Sequence, residues 1–148
     1  MMIQRHEFGK WSKTRGSVSI EAVLIIPAFL IFLALIVAIG RTAAAHTDIH
    51  AAAVEGSRIA SLATSSTAAD STAKAAITAH LVRESVHCTT LNITIEAAAL
   101  DKPPGQYGQV QANITCAIPL SDLAVPGLPG SIKFTESFKT AIDAYTNR

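Results

Sequence analysis

The sequence predicts an α+β protein: a long N-terminal transmembrane helix that continues outside the membrane, a second helix, and then a small antiparallel sheet of about three strands. Three observations predict it. Residues 22–40 contain no charged side chain, and at 1.5 Å per residue such a helix spans about 28 Å, close to the hydrocarbon thickness of a bilayer. The alanine-rich stretch that follows has no proline and repeats its apolar residues at helical spacing. From Cys88 onward the apolar period drops to two, the signature of half-buried strands.

Composition sets the scale. The chain has 148 residues, a formal net charge of +1 and 49% hydrophobic residues. Its apolar excess is concentrated in one segment, and the roughly 100 residues outside it suffice for one small domain. A near-neutral charge gives no electrostatic reason to expect a nucleic-acid partner. The predicted division is a basic cytoplasmic leader at 1–16, the transmembrane helix at 17–40, its extension at 41–64, a linker and second helix at 65–86, and an extracytoplasmic β domain at 87–148.

The leader carries Arg5, Lys10, Lys13 and Arg15 against one acid, Glu7. Basic residues beside a span stay on the cytoplasmic side, which places the N-terminus inside and the rest of the chain outside. Trp11 suits the membrane interface. A cleaved secretory signal is the competing reading, with an A-x-A-like end at Ala43 to Ala45; against it, the apolar run exceeds the usual signal core. Glu21 stands just inside the apolar run, where a carboxylate is either solvated at the interface or has a task. Pro27 cannot donate a hydrogen bond to the carbonyl of Val23, so a bend is expected there unless the helix simply tolerates it.

Beyond the membrane, Ile49, Ala52, Ala53, Gly56, Ala60 and Ala63 form a small-residue stripe that carries the first helix to about Leu62. The polar stretch 64–72 has helix-start chemistry, with Asp70 or Ser66 as the cap. Ala73, Ala76, Ile77, Leu81 and Val82 mark the buried face of a second helix ending near Ser85. Leu91, Ile93, Ile95 and Ala97 alternate with polar residues, as do Val110, Ala112, Ile114, Cys116 and Ile118. A turn-rich D-K-P-P-G-Q-Y-G lies between, so the two runs read as antiparallel strands. The stretch 119–130 reads as a longer loop. From Ile132 to Tyr145 the spacing fits strand and helix alike. Cys88 and Cys116 lie on the oxidising side, where a bridge persists; the alternative is two buried thiols. Cys88 is out of phase with Leu91 and Ile93, so either the strand starts after it or a bulge intervenes.

The head of the span, R-G-S-V-S-I-E, resembles the processing site of type IV prepilin-like proteins, in which a membrane peptidase cuts after the glycine. The stretch A-A-V-E-G-S-R-I-A, with Glu55, Gly56 and Arg58, resembles the E-G-x-R segment that follows the membrane helix in TadE-like proteins, the pseudopilins of the tight-adherence (Flp) pilus system. The resemblance implies cleavage between Gly16 and Ser17 and an assembly role for Glu21, which engages the N-terminus of a neighbouring subunit. As partners it implies a prepilin peptidase, the pilus assembly platform with its secretion ATPase, other pilins through the helix, and the lipid of a bacterial cell membrane. It also tips the last segment toward a strand. One departure is Ser17, where typical major pilins have Phe; this fits minor pseudopilins as well as major ones, or better.

Other chemistry finds little footing. His46 and His50 are spaced i, i+4, so both rings could face one metal with Glu55 further along the helix, but no third ligand is evident and polar residues on an exposed helix face are the commoner explanation. There is no nucleophile elbow and no phosphate-cradling glycine loop. No enzymatic activity and no cofactor is expected. A single-pass anchored binding or sensor protein is the runner-up, and a membrane-tethered hydrolase the third reading.

Overall fold

A computed structural model describes residues 15–103, 105–123, 127 and 129–143, with side chains described from Val23 onward. The expected leader, Trp11 included, and Tyr145 lie outside the described residues. The elements are α1 (Arg15–Ser61), α2 (Ser66–Arg83), β1 (Thr90–Glu96), β2 (Gln109–Pro119), α3 (Leu120–Leu123) and β3 (Ser131–Ala141), with a 3₁₀ turn, Ala98–Asp101, after β1.

α1 is a single helix of 47 residues, about 70 Å long, and passes through Pro27 without interruption of the element. Its lower part is exposed: Val23, Leu24, Phe29, Leu30, Ile31 and Ile39 are all more than half accessible. Its upper part is the spine of the domain. There Ile49, Ala52, Ala53 and Ala60 are fully buried.

α2 packs on this small-residue stripe through Ala69, Ala73, Ile77 and Leu81, one row of residues four apart. Two expectations need correction. Val82 is 72% exposed, because it lies one residue off that row and therefore about 100° around the helix; Ala76 is only half-buried. The cap is Ser65, not Ser66 or Asp70: Ser65 has extended backbone and accepts from the Ala68 N–H at 3.2 Å, satisfying one of the free donors of the first turn.

The sheet has strand order β1-β2-β3, antiparallel throughout. The ambiguous last segment is a strand, pairing Cys116 with Phe134 and Ala112 with Phe138. Central β2 buries Val110, Ala112, Ile114, Cys116 and Ile118, and the last four cluster with Ile49, Ala53, Ile77 and Leu81 of the helices. A smaller cluster joins Ala60, Ala69 and Ala73 to Leu100, Val110 and Ile142. Both helices thus cover one face of the sheet, while the alternate residues Asn92, Thr94, Thr115, Thr135 and Lys139 form a polar opposite face. The loop expected after β2 begins with a helical turn, α3, which buries Leu123 and whose Leu120 N–H donates to the Gly130 carbonyl at 2.9 Å.

Cys88 and Cys116 form a disulfide with Cα atoms 5.3 Å apart. The phase question resolves simply: Cys88 precedes β1, which starts at Thr90, so the residue is not bound to the strand's alternation.

Candidate functional site

α1 carries every residue that the sequence singled out for assembly. Gly16 is the second residue of the helix, Ser17 the third, and Glu21 lies four residues beyond Ser17, about one turn along. The side chains of all three lie outside the described residues. A glycine at a helix end is the position from which the chain unwinds most readily, since glycine is a poor helix former and terminal turns fray.

The E-G-S-R segment binds the domain to the helix. Glu55 accepts from His80 Nδ1 on α2, and its Oε2 stands 3.6 Å from an Arg83 nitrogen. Gly56 is a contact no side chain could make: an added Cβ would lie 2.4 Å from Cδ1 and 2.5 Å from Cγ1 of fully buried Ile77. Ser57 turns the other way and is fully buried. Its Oγ bonds the Val54 carbonyl at 2.9 Å and the Thr140 hydroxyl of β3 at 2.7 Å. Arg58 is exposed. Three consecutive residues therefore fix α2 and β3 to one turn of α1.

A second attachment lies lower on the helix. His46 Nε2 donates to one carboxylate oxygen of Glu136 at 2.8 Å, and His50 Nδ1 to the other at 3.1 Å. The rings also meet Phe134 and Phe138 edge-on, with centroids 6.2 and 6.0 Å apart. The sequence pairing of His46 with His50 therefore has a structural partner, but Glu136 lies 86 residues beyond His50 and no local spacing announces it. Each imidazole is turned to its own carboxylate oxygen, and among the described residues no group of three His, Cys, Asp or Glu is arranged to hold a metal ion. Glu55, the further residue weighed beside the histidines, is engaged with α2 instead.

One carboxylate is visibly tuned. Hydrogen bonds with Ser66, from its side chain and from its backbone N–H at 3.0 Å, hold Asp101 below the ordinary carboxylate range, against a smaller opposing effect of desolvation. Asp101 thereby ties the turn after β1 to the N-terminus of α2, where the helix dipole also favours a negative charge.

Among the described residues one exposed helix is long and apolar enough to cross a membrane, with a small α+β domain built on its far half, an arrangement consistent with a single-pass membrane protein. Residues 16–58 match the family described as TadE-like protein. Over that stretch α1 is similar to the TadE-like family, and the match takes in both the glycine–glutamate head of the span and the E-G-S-R segment. No curated protein and no solved structure matches the chain.

Proposed function

We propose that the chain is a structural pseudopilin or minor pilin that a prepilin peptidase cuts after Gly16 and that takes part in assembly of a tight-adherence (Flp) pilus. The observation that carries this reading is the TadE-like match, which starts at Gly16 itself and runs through Arg58. In this reading the N-terminus is cytoplasmic in a bacterial cell membrane and the folded domain stands outside.

The chemistry of the cut supports it. Removal of residues 1–16 takes away Arg5, Lys10, Lys13 and Arg15, the charges that hold the N-terminus against the cytoplasmic face. It leaves an α-amine on Ser17 one turn from Glu21. An ammonium beside a carboxylate lowers the cost of keeping either in hydrocarbon, whether the amine belongs to the same chain or to a neighbouring pilin. The mature helix then slides among other helices with its polar end neutralised. The assembly platform and its secretion ATPase supply the work of extraction.

Intact mass and N-terminal sequence of the chain recovered from membranes test the proposal. A mature chain beginning at Ser17, and loss of that product in Gly16→Leu, are expected. A chain still beginning at Met1 or Met2 would overturn the processing step and leave an anchored protein; a start just after Ala45 would mean a secreted domain.

A further inference from the structure

Where α1 leaves its apolar span, it forms one wall of a groove of about 620 Å³. Ala38, Ile39, Thr42, Ala43, His46 and Thr47 build that wall; Leu120 and Leu123 of α3 and Ile132 and Phe134 of β3 build the other. The volume is in the range of sites that hold small organic molecules. Its lining offers almost nothing polar to bind. The Thr42 hydroxyl donates to the Ala38 carbonyl at 2.8 Å and the Thr47 hydroxyl to the Ala43 carbonyl at 3.0 Å, so both hydroxyl protons are taken up within the helix. The His46 Nε2 is spent on Glu136. Arg41 closes one flank from outside by donating to the Asp122 carbonyl at 3.3 Å, holding α3 against α1.

We propose that this groove seats a phospholipid acyl chain of the leaflet from which α1 emerges, so that the domain rests on the membrane instead of standing clear of it. The proposal rests on α1 crossing a bilayer, but not on its direction. Continuity favours lipid as the occupant: Ile39, the last residue of the exposed apolar run, also lines the groove beside half-buried Ala38, so a chain already packed on the span reaches the groove without crossing water. From Ala38 to Thr47 the wall rises about 14 Å. That carries it from the hydrocarbon edge through the interfacial layer, whose depth is about 5–8 Å per side. A polar ligand would find no free donor among these lining side chains, whereas methylene groups need none.

The test uses the full chain in phosphatidylcholine vesicles with and without bromine partway along one acyl chain, which quenches nearby tryptophan. The single native tryptophan, Trp11, is replaced by Phe, and one tryptophan is introduced at a time: Phe134→Trp in the groove, Thr135→Trp on the opposite face of β3, and Leu30→Trp within the span. Phe134→Trp is expected to be quenched at least about twofold more than Thr135→Trp, because Phe134 lines the groove whereas Thr135 lies on the opposite, polar face of the same strand. Ile132→Trp gives the same reading should Phe134→Trp fail to fold. Quenching of Leu30→Trp with none at Phe134 or Ile132 would overturn the groove proposal alone. No quenching at Leu30 would overturn the span and the groove together. Groove emission that is shielded, unquenched and dependent on the protein-to-lipid ratio would show a second copy in place of lipid, and would equally overturn it.

Discussion

At the scale of single residues, Gly56 has the sharpest consequence. The Ile77 side chain occupies the space a Cβ would need and is itself fully buried. Gly56→Ala gains about 1 kcal/mol in helix propensity but incurs overpacking of about 1–3 kcal/mol, so a net loss of about 1 kcal/mol is expected in denaturant unfolding of the full chain in detergent. Ile77→Ala removes both colliding atoms, Cδ1 and Cγ1. The double variant should therefore be more stable than the sum of the two single changes, and strict additivity would show that the two residues do not meet. Asp101 makes a different prediction. Its folded carboxyl sits below its ordinary value of about 3.8, so the stability it contributes is present above that value and is lost as the pH falls through the lower, folded one. Asp101→Asn is expected to lower stability at neutral pH and flatten the acid arm of a stability–pH curve below about pH 4. An unchanged acid arm would mean that Ser66 does not hold the carboxylate.

At the scale of elements, what the sequence revealed depended on how far apart the interacting residues lie. The stripe Ile49, Ala52, Ala53 and Ala60 and the alternation in β2 are local periodicities, and both were legible. Val82 misled because apolar character alone does not fix a position on the helix circumference, and the neighbouring row through Ala69, Ala73, Ile77 and Leu81 was the one taken by α1. Ser65, Ser66 and Asp70 are all able to cap; choosing among them required knowing that Asp101 receives the Ser66 N–H. Glu136 and Thr140 were invisible as partners of His46, His50 and Ser57, because more than 80 residues separate them. The disulfide could be anticipated from two cysteines in a small domain. It joins the segment before β1 to the middle of β2, a separation of 28 residues, and closing such a loop contributes about 3–4 kcal/mol in the chain-entropy model. Cys88→Ala with Cys116→Ala is therefore expected to lower the unfolding midpoint by more than about 10 °C for a domain near 100 residues. A shift of only a degree or two would show that the helices alone hold β1 and β2 in place.

For the whole molecule, one helix presents two surfaces, one exposed and apolar, the other packed in a domain core. Thirteen large apolar side chains between Val23 and Ile39 are exposed, while the same helix from Ala45 to Ala60 forms the core of the domain. The magnitudes set how firmly a bilayer would hold the first half. Thirteen Leu, Ile, Phe and Val residues favour insertion by about 0.3–0.6 kcal/mol each near the centre, and one central lysine opposes it by about 2.5–3.5 kcal/mol. Leu30→Lys alone should therefore leave the chain in the membrane pellet after alkaline carbonate extraction. Leu30→Lys with Leu33→Lys should release a large fraction, because the two costs together reach the whole favourable sum. Thr135→Lys, on the polar face of the sheet, should change nothing. Release by the single span lysine would mean that Pro27 and the helix ends weaken insertion more than the apolar residues suggest. Retention of the double variant would mean that contacts of the folded domain with the membrane hold the chain independently of the span. In that case the groove between α1, α3 and β3 is the first surface to alter, through Phe134 and Leu120.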